Sequence, residues 1–379
     1  MDLHFPVFEL PAEAEALRGE VRAFIAAEKR AGLWQRGGDF ATHYDPAFSQ
    51  RLGARGWLGM TWPRPYGGQE RSTLERLVLT EELIAANAPI AAHWIADRQS
   101  GPLLLRYGSE AQRREFLPRI ARGEIFFSIG MSEPDAGSDL ASVRTRAVKA
   151  DGGWRINGRK VWTSFAHLNH YAIVLARTGD AGESRHEGLS QFIVDLKAGD
   201  LEVRPIVNMA GQREFNEVLF SDSFVPDERL VGAPGNGWRQ VTSELAYERS
   251  GPERYLSFIR LAEAALQCAG ARPSPRLREA LGRSTAKLIA LRSMSIAVAA
   301  LLQKGAMPNL EAALIKDLGT AFEREQIGVY RALRTELAVP SAEYLSALAE
   351  TTIYAPSWTL RGGTREILRG IVARGLGMR

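Results

Sequence analysis

The hydrophobic pattern changes period twice along the 379 residues, and that double switch fixes the order in which helices and strands can follow one another. Up to about Gly123 the apolar residues recur at helical spacing; Leu17, Val21, Phe24 and Ile25 share one face. Ser109 with Gln112 three residues on forms a capping box that opens the helix QRREFLPRI. Between helical stretches, WPRPYGGQERS (62–72) carries the Pro and Gly of a loop. From about Ile125 to Gly232 the apolar runs shorten to strand length: WRI, KVWTSF, HYAIVLART, LSQFIVDL and NEVLFSDSFV, each bounded by turn residues. Gly152-Gly153 and Asn157-Gly158 bracket WRI as turns, the second being a type I′ hairpin signal. Past APGNGW (233–238) the helical spacing returns and persists to the end. The expected architecture is α+β: an N-terminal helical domain over 1–124, a middle β domain over 125–232 and a C-terminal helical domain over 233–379.

Charge and composition exclude several classes of function. The 48 basic and 44 acidic residues are interspersed, with no run of five like charges, which argues against nucleic-acid binding. The residual +4 suits an anionic ligand. A single cysteine, Cys268, leaves no intramolecular disulfide and fits a reducing compartment; its setting, AALQCAGA, reads as helix packing. The first residues lack the basic and apolar regions of a signal peptide, and no run of 18 apolar residues occurs, so the expectation is a cytoplasmic protein without a membrane span. His167 and His170 have no further ligand nearby, so no metal site is expected, and no G-x-S-x-G nucleophile motif occurs.

Two segments carry the chemistry: SIGMSEPDAGSDL (128–140) and NGRKVWTS (157–164). Taken singly, the first is a Gly/Asp turn and the second contains an ordinary core tryptophan. Together, in this order, inside a helix–strand–helix chain, they resemble the flavin-binding middle domain of the acyl-CoA dehydrogenase family, and the resemblance extends over the whole chain. It implies FAD as cofactor, an acyl-CoA as substrate, α,β-dehydrogenation with electrons passed to an electron-transfer flavoprotein, a C-terminal four-helix bundle, and a homodimer or homotetramer. It puts Met131 and Ser132 at the pyrimidine edge of the isoalloxazine, Ser138 toward the flavin phosphates or the thioester end of CoA, Trp162 against one ring face and Ser164 near N5. Asp135 stands where the family more often has glycine.

The resemblance also locates the catalytic base. Many members carry a glutamate in a Tyr-Glu-Gly-Thr pattern before the last helix; the matching stretch here is Arg361-Gly362-Gly363-Thr364. Isovaleryl and long-chain members place the glutamate on another helix, just before an arginine, and Tyr247-Glu248-Arg249 matches that arrangement. Glu248 is therefore the expected base, with Glu244 and Glu253 as weaker candidates and the Gly362 N–H polarising the thioester carbonyl. From the residues alone, Glu248 is a solvated charge beside Arg249. Pro252, four residues on, is expected to kink this helix at the turn of the base. The neighbour-supplied grip on the FAD tail, an Arg-x-x-Phe and a Gly-Gly loop, is missing: the chain reads ARPSP (271–275) and ELAVPSAEYL (336–345). Arg272, Thr364 and Glu366 fall at FAD-contacting positions, although Thr364 serves equally as an N-cap and Glu366 as a first-turn acid. Three readings stay open: a homo-oligomeric dehydrogenase with altered FAD contacts; a silent or half-site subunit of a hetero-oligomer, as among steroid-side-chain members; and an oxygen-using acyl-CoA oxidase or flavin hydroxylase on the same fold.

Overall fold

The computed structural model describes residues 3–34, 39–180 and 182–378, with the side chains of 244–248 outside the description. The chain divides into two compact units, residues 1–43, 72–89 and 246–379 in one and residues 44–71 and 90–245 in the other. Each unit draws on separate stretches of the chain. The reason is visible in the helical unit. Helix Thr73–Ala85, early in the chain, packs on Ala12–Arg30 and on the late helix Pro275–Gln303.

The second unit holds an eight-stranded sheet: β1 (Phe127–Gly130), β2 (Arg146–Ala150), β3 (Gly153–Lys160), β4 (Tyr171–Arg177), β5 (Leu189–Asp195), β6 (Leu201–Ile206), β7 (Phe215–Pro226) and β8 (Leu230–Val231). The strand order is β6-β7-β3-β2-β4-β5-β8, with β1 parallel to β4. β4 is apolar almost throughout, and β5 is buried at every position but Asp195, because both of their faces are covered. Ile173 and Ile193 turn to the helical side, against Phe116, Leu117 and Ile120. Ala172, Val174, Phe192 and Val194 turn to the other side, against Trp154, Val218 and Phe220. The capping box at Ser109 forms as expected, at the start of helix Glu110–Ala121.

Asn157-Gly158 is not a hairpin turn. Both residues lie inside β3, and two residues of β7, Ser221 and Asp222, stand against Asn157 in a β-bulge. The Asp222 N–H donates to Asn157 Oδ1 at 2.8 Å. Gly158 sits at φ +147°, where a Cβ would come within 2.7 Å of the Thr145 Cα. The glycine is there because the backbone just before β2 leaves no room for a side chain. The turn between β2 and β3 is one step earlier, at Asp151-Gly152, with Gly152 at φ +70°.

The helical unit is organised around helix Asn309–Ala332, which packs against Pro275–Gln303, Ala342–Trp358 and Arg365–Gly375. Leu17, Val21, Phe24 and Ile25 are buried, as their spacing predicts. Pro275–Gln303 is long and apolar enough to cross a membrane by length and composition, although it has no unbroken apolar run of 18. Here its Ile296, Ala299 and Ala300 pack on Leu74 and Leu77. Its Arg292 Nε meets Glu81 Oε1 at 2.7 Å, which ties the helix into the bundle. The expected kink at Pro252 is instead a full stop. Helix Gly237–Glu248 ends at Glu248, and Pro252 opens a separate 3₁₀ turn, Pro252–Arg254. Proline is tolerated at a first-turn position because that N–H would lack a helical acceptor anyway.

Candidate functional site

In the sheet unit, the backbone around Trp162 is fastened on both sides. The Val161 N–H donates to Ser132 O at 2.9 Å. Thr163 and Asn216 exchange two backbone hydrogen bonds of 3.0 Å, and the Phe165 N–H reaches Glu214 O at 2.6 Å. These bonds force Trp162 and Phe165 into left-handed conformations, φ +61° and +54°. A left-handed turn costs an L-residue roughly 1–2 kcal/mol and persists only where its surroundings over-determine it. The product is a large indole held 57% exposed, with Phe215 edge-on to it at 6.0 Å. Ser164 is anchored through its carbonyl, which accepts from Ser128 Oγ at 2.7 Å.

Met131 and Ser132 follow β1, half-buried, and their conformation is set by a buried ion pair. Lys160 is 0% exposed; its Nζ lies 2.9 Å from Met131 O and 2.7 Å from Glu133 Oε1. Glu133 also accepts the N–H of Arg144 at 2.7 Å and of Thr145 at 2.9 Å. One pair thus holds three stretches together: 131–133, 144–145 and the residue that leads into Trp162. Burial pulls the Lys160 ammonium down to about 8, against the attraction of Glu133. Burial works against ionisation of Glu133 as well, but the Lys160 charge and the two backbone donors outweigh it and hold the carboxyl below its ordinary range. Ser138 and Asp135 are exposed in the bends after this clamp. His167 and His170 lie in the following turn, and His170 Nδ1 accepts the Phe126 N–H at 3.2 Å.

In the helical unit the loop Arg361-Gly362-Gly363-Thr364 is unusual. Gly362 and Gly363 are consecutive left-handed residues, φ +72° and +100°, a pair of conformations that only glycine adopts cheaply. Arg249 Nε donates to Gly362 O at 3.2 Å and Lys316 Nζ to Gly363 O at 2.7 Å. Arg361 turns its guanidinium away into the unit, to Glu253 O at 3.0 Å and Ser257 Oγ at 2.7 Å. Thr364 takes the N-cap position of helix Arg365–Gly375 without a side-chain cap bond. Glu366 follows in the first turn, its carboxyl held low by its own backbone N–H and the Thr364 hydroxyl. Close by, Glu323 is fully buried. One of its oxygens accepts the Ser257 N–H at 2.7 Å, and the other has no hydrogen-bond partner among the described residues. Burial lifts its pKa to about 7 against the pull of Arg361.

The structure therefore brings together Met131, Ser132, Trp162 and Ser164 in one unit, and Gly362, Thr364 and Glu366 in the other. Arg272 is exposed in the bend before helix Pro275–Gln303 and forms no ion pair among the described residues. The side chains of Glu248 and Glu244 lie outside the described residues. Glu253 is buried beside Arg254, at 3.8 Å. Among the described residues no group of three metal-ligating side chains occurs. Sequence reasoning missed Lys160, Glu133, Lys316 and Glu323. Lys160 carried a signal, as a lysine on the buried face of its strand after Trp154 and Ile156, with a glutamate in the neighbouring motif. Lys316 and Glu323 carried none, since ALIKDLGTAFEREQ reads as an ordinary amphipathic helix.

The chain matches three family models: acyl-CoA dehydrogenase N-terminal domain over residues 11–124, middle domain over 128–223 and C-terminal domain over 235–377. It is 36% identical over 380 residues to the acyl-CoA dehydrogenase IpdE1 of Mycobacterium tuberculosis, covering 95% of this chain and 96% of that one. Among solved structures, the Tcur3481-Tcur3483 steroid ACAD superposes with a TM-score of 0.84 at 32% identity, over 100% of both chains. The ChsE4-ChsE5 complex from Mycobacterium tuberculosis gives 0.83 at 30% identity, over 98% of this chain and 99% of that one.

Proposed function

The chain belongs to the acyl-CoA dehydrogenase family, and from that premise we propose that it dehydrogenates an acyl-CoA thioester between Cα and Cβ with Glu248 as the base. The family is FAD-dependent, and bound FAD supplies the hydride acceptor. The observation that carries the flavin assignment is Trp162: a strained, deliberately exposed indole beside the Met131–Ser132 backbone. A flat apolar face fixed in this way fits one side of an isoalloxazine and shields it from water. Met131 and Ser132 would hold the pyrimidine edge, and Ser164 would lie near N5. Ser138, Thr364, Glu366 and Arg272 would meet the phosphates and the rest of the cofactor.

In the proposed reaction Glu248 removes the α-proton. It stands at the C-terminal end of its helix, directly before Arg249. The position where other members carry the glutamate is Gly362, whose φ of +72° disfavours any side chain. An acyl-CoA α-proton is too weakly acidic for a free carboxylate, so the thioester carbonyl needs a hydrogen-bond donor; the Gly362 N–H is the donor this chain offers. Arg361 takes no part in proton transfer, since guanidinium stays protonated. An electron-transfer flavoprotein is the proposed electron acceptor.

For substrate we propose a steroid-type acyl-CoA, supported by the steroid relative at 32% identity. The second reading is a subunit of a hetero-oligomer. It is supported by an exposed Arg272 without an ion pair among the described residues, by the missing Gly-Gly at 336–345 and by the two-chain names of the relatives. One experiment separates them: anaerobic titration of purified protein with straight, branched and steroid-type acyl-CoAs. Bleaching of bound flavin supports the enzyme. A chain that holds no FAD until a partner is added supports the hetero-oligomer, and peroxide release in air supports an oxidase. Glu248→Gln should keep FAD but lose reduction by substrate; near wild-type reduction would remove Glu248 from its role.

A further inference from the structure

We propose that Lys316 and Arg249, with Arg254 behind the Arg361 carbonyl, are positioning residues for the loop that presents the backbone donor at Gly362, an inference that rests on the dehydrogenase reading above. Oxyanion-type stabilisation requires a donor already in place before charge develops. This chain sets that donor in a run of two adjacent glycines, the residues with most backbone freedom to lose. The structure compensates with buried cations. Lys316 is 0% exposed and Arg249 is 6% exposed, and they hold the consecutive carbonyls of Gly363 and Gly362 at 2.7 and 3.2 Å. Arg254, also buried, reaches the carbonyl of Arg361 at a longer 3.5 Å.

In a trans peptide the C=O and the following N–H point in opposite directions. Carbonyls drawn to Arg254, Arg249 and Lys316 therefore turn the N–H groups of Gly362, Gly363 and Thr364 the other way. Among the described residues none of these three N–H groups donates a hydrogen bond. The loop is thus a short run of outward donors, kept rigid from behind by cations that hold its carbonyls. Lys316 lies 47 residues before Gly363, on helix Asn309–Ala332, so its contact fixes the loop against the bundle and not merely against its own turn.

The test uses the full-length protein as purified with FAD and has two arms. In the first, trypsin cleavage after Arg361 is followed by mass spectrometry under native conditions. Lys316→Met should accelerate that cut at least tenfold while cuts elsewhere keep their rates. In the second, flavin reduction is measured with the acyl-CoA that reduces the wild type fastest. The limiting rate should fall about 100-fold, the half-saturating concentration should stay within threefold, and Lys316→Arg should recover most of the loss. Arg249→Gln, acting on the adjacent carbonyl, is measured alongside and decides the matter if Lys316→Met does not fold. Unchanged cleavage after Arg361, or a rate loss matched by an equal rise in half-saturation, overturns the proposal. A wild type that no acyl-CoA reduces overturns the dehydrogenase reading, and the cleavage arm then decides the clamp alone.

Discussion

Replacing Lys160 by methionine removes one end of the ion pair behind the Met131–Ser132 segment. It deletes the 2.7 Å contact to Glu133 and the 2.9 Å bond to Met131 O, and it leaves a carboxylate that is only 8% exposed. Breaking a buried pair from one side costs about 3–5 kcal/mol. Glu133 retains the N–H donors of Arg144 and Thr145 at 2.7 and 2.9 Å, and charge-assisted bonds are the stronger kind. The loss should therefore sit near the lower end, about 3 kcal/mol. For a domain of 150–250 residues that lowers Tm by about 6–12 °C. The double variant Lys160→Met/Glu133→Gln carries no buried charge, and its amide oxygen still accepts one N–H. It should recover at least half of the loss, a coupling of about 2 kcal/mol in a double-mutant cycle. Thermal unfolding by near-ultraviolet circular dichroism, with FAD equally saturating for all four proteins, reads both quantities. A double variant as unstable as the sum of its single variants, or a Lys160→Met protein within 2 °C of wild type, would refute the clamp.

Glu323 gives a pH prediction. Its pKa in the folded protein, about 7, lies above the ordinary value of 4.5. The stability it contributes is complete below pH 4.5 and is lost as pH rises through 7, by up to about 3 kcal/mol. Glu323→Gln should match wild type near pH 5 and exceed it at pH 8; equal denaturation midpoints across that range would show that the group does not titrate there. Gly158→Ala drives a Cβ into the Thr145 backbone, and should cost about 2 kcal/mol or more in urea unfolding. Trp162→Gly relieves a left-handed residue and gives up mostly exposed surface, so the apoprotein should melt no lower than wild type while FAD affinity falls at least tenfold by flavin fluorescence titration. A large drop in apoprotein Tm would mean that the indole is there for packing.

Much of this protein is legible in the chain because the relevant physics is local. Helix faces such as Leu17–Val21–Phe24, the capping box at Ser109 and the doubly buried strands β4 and β5 follow from residue spacing alone. The segment carrying Met131, Ser132 and Trp162 is legible for a different reason: its two motifs, each contiguous, resemble those of a known family. Where neighbours in space decide, local pattern misleads. Asn157-Gly158 has the chemistry of a hairpin turn, but the register of β7 and the closeness of Thr145 make it a bulge. Pro252 has the spacing of a kink, but the helix had already ended. The contacts that hold the site were invisible for the same reason. Lys160 reaches Glu133 across 27 residues and Lys316 reaches Gly363 across 47. Such pairs leave no periodicity in the sequence, since it is the packing of distant elements that brings their polar groups within 3 Å and removes the water that would otherwise screen them. The amino-acid pattern was enough to reach the family and the order of elements, because both rest on local spacing and contiguous motifs. The tertiary structure alone decided which charges are buried, which backbone is strained and which carbonyls are held.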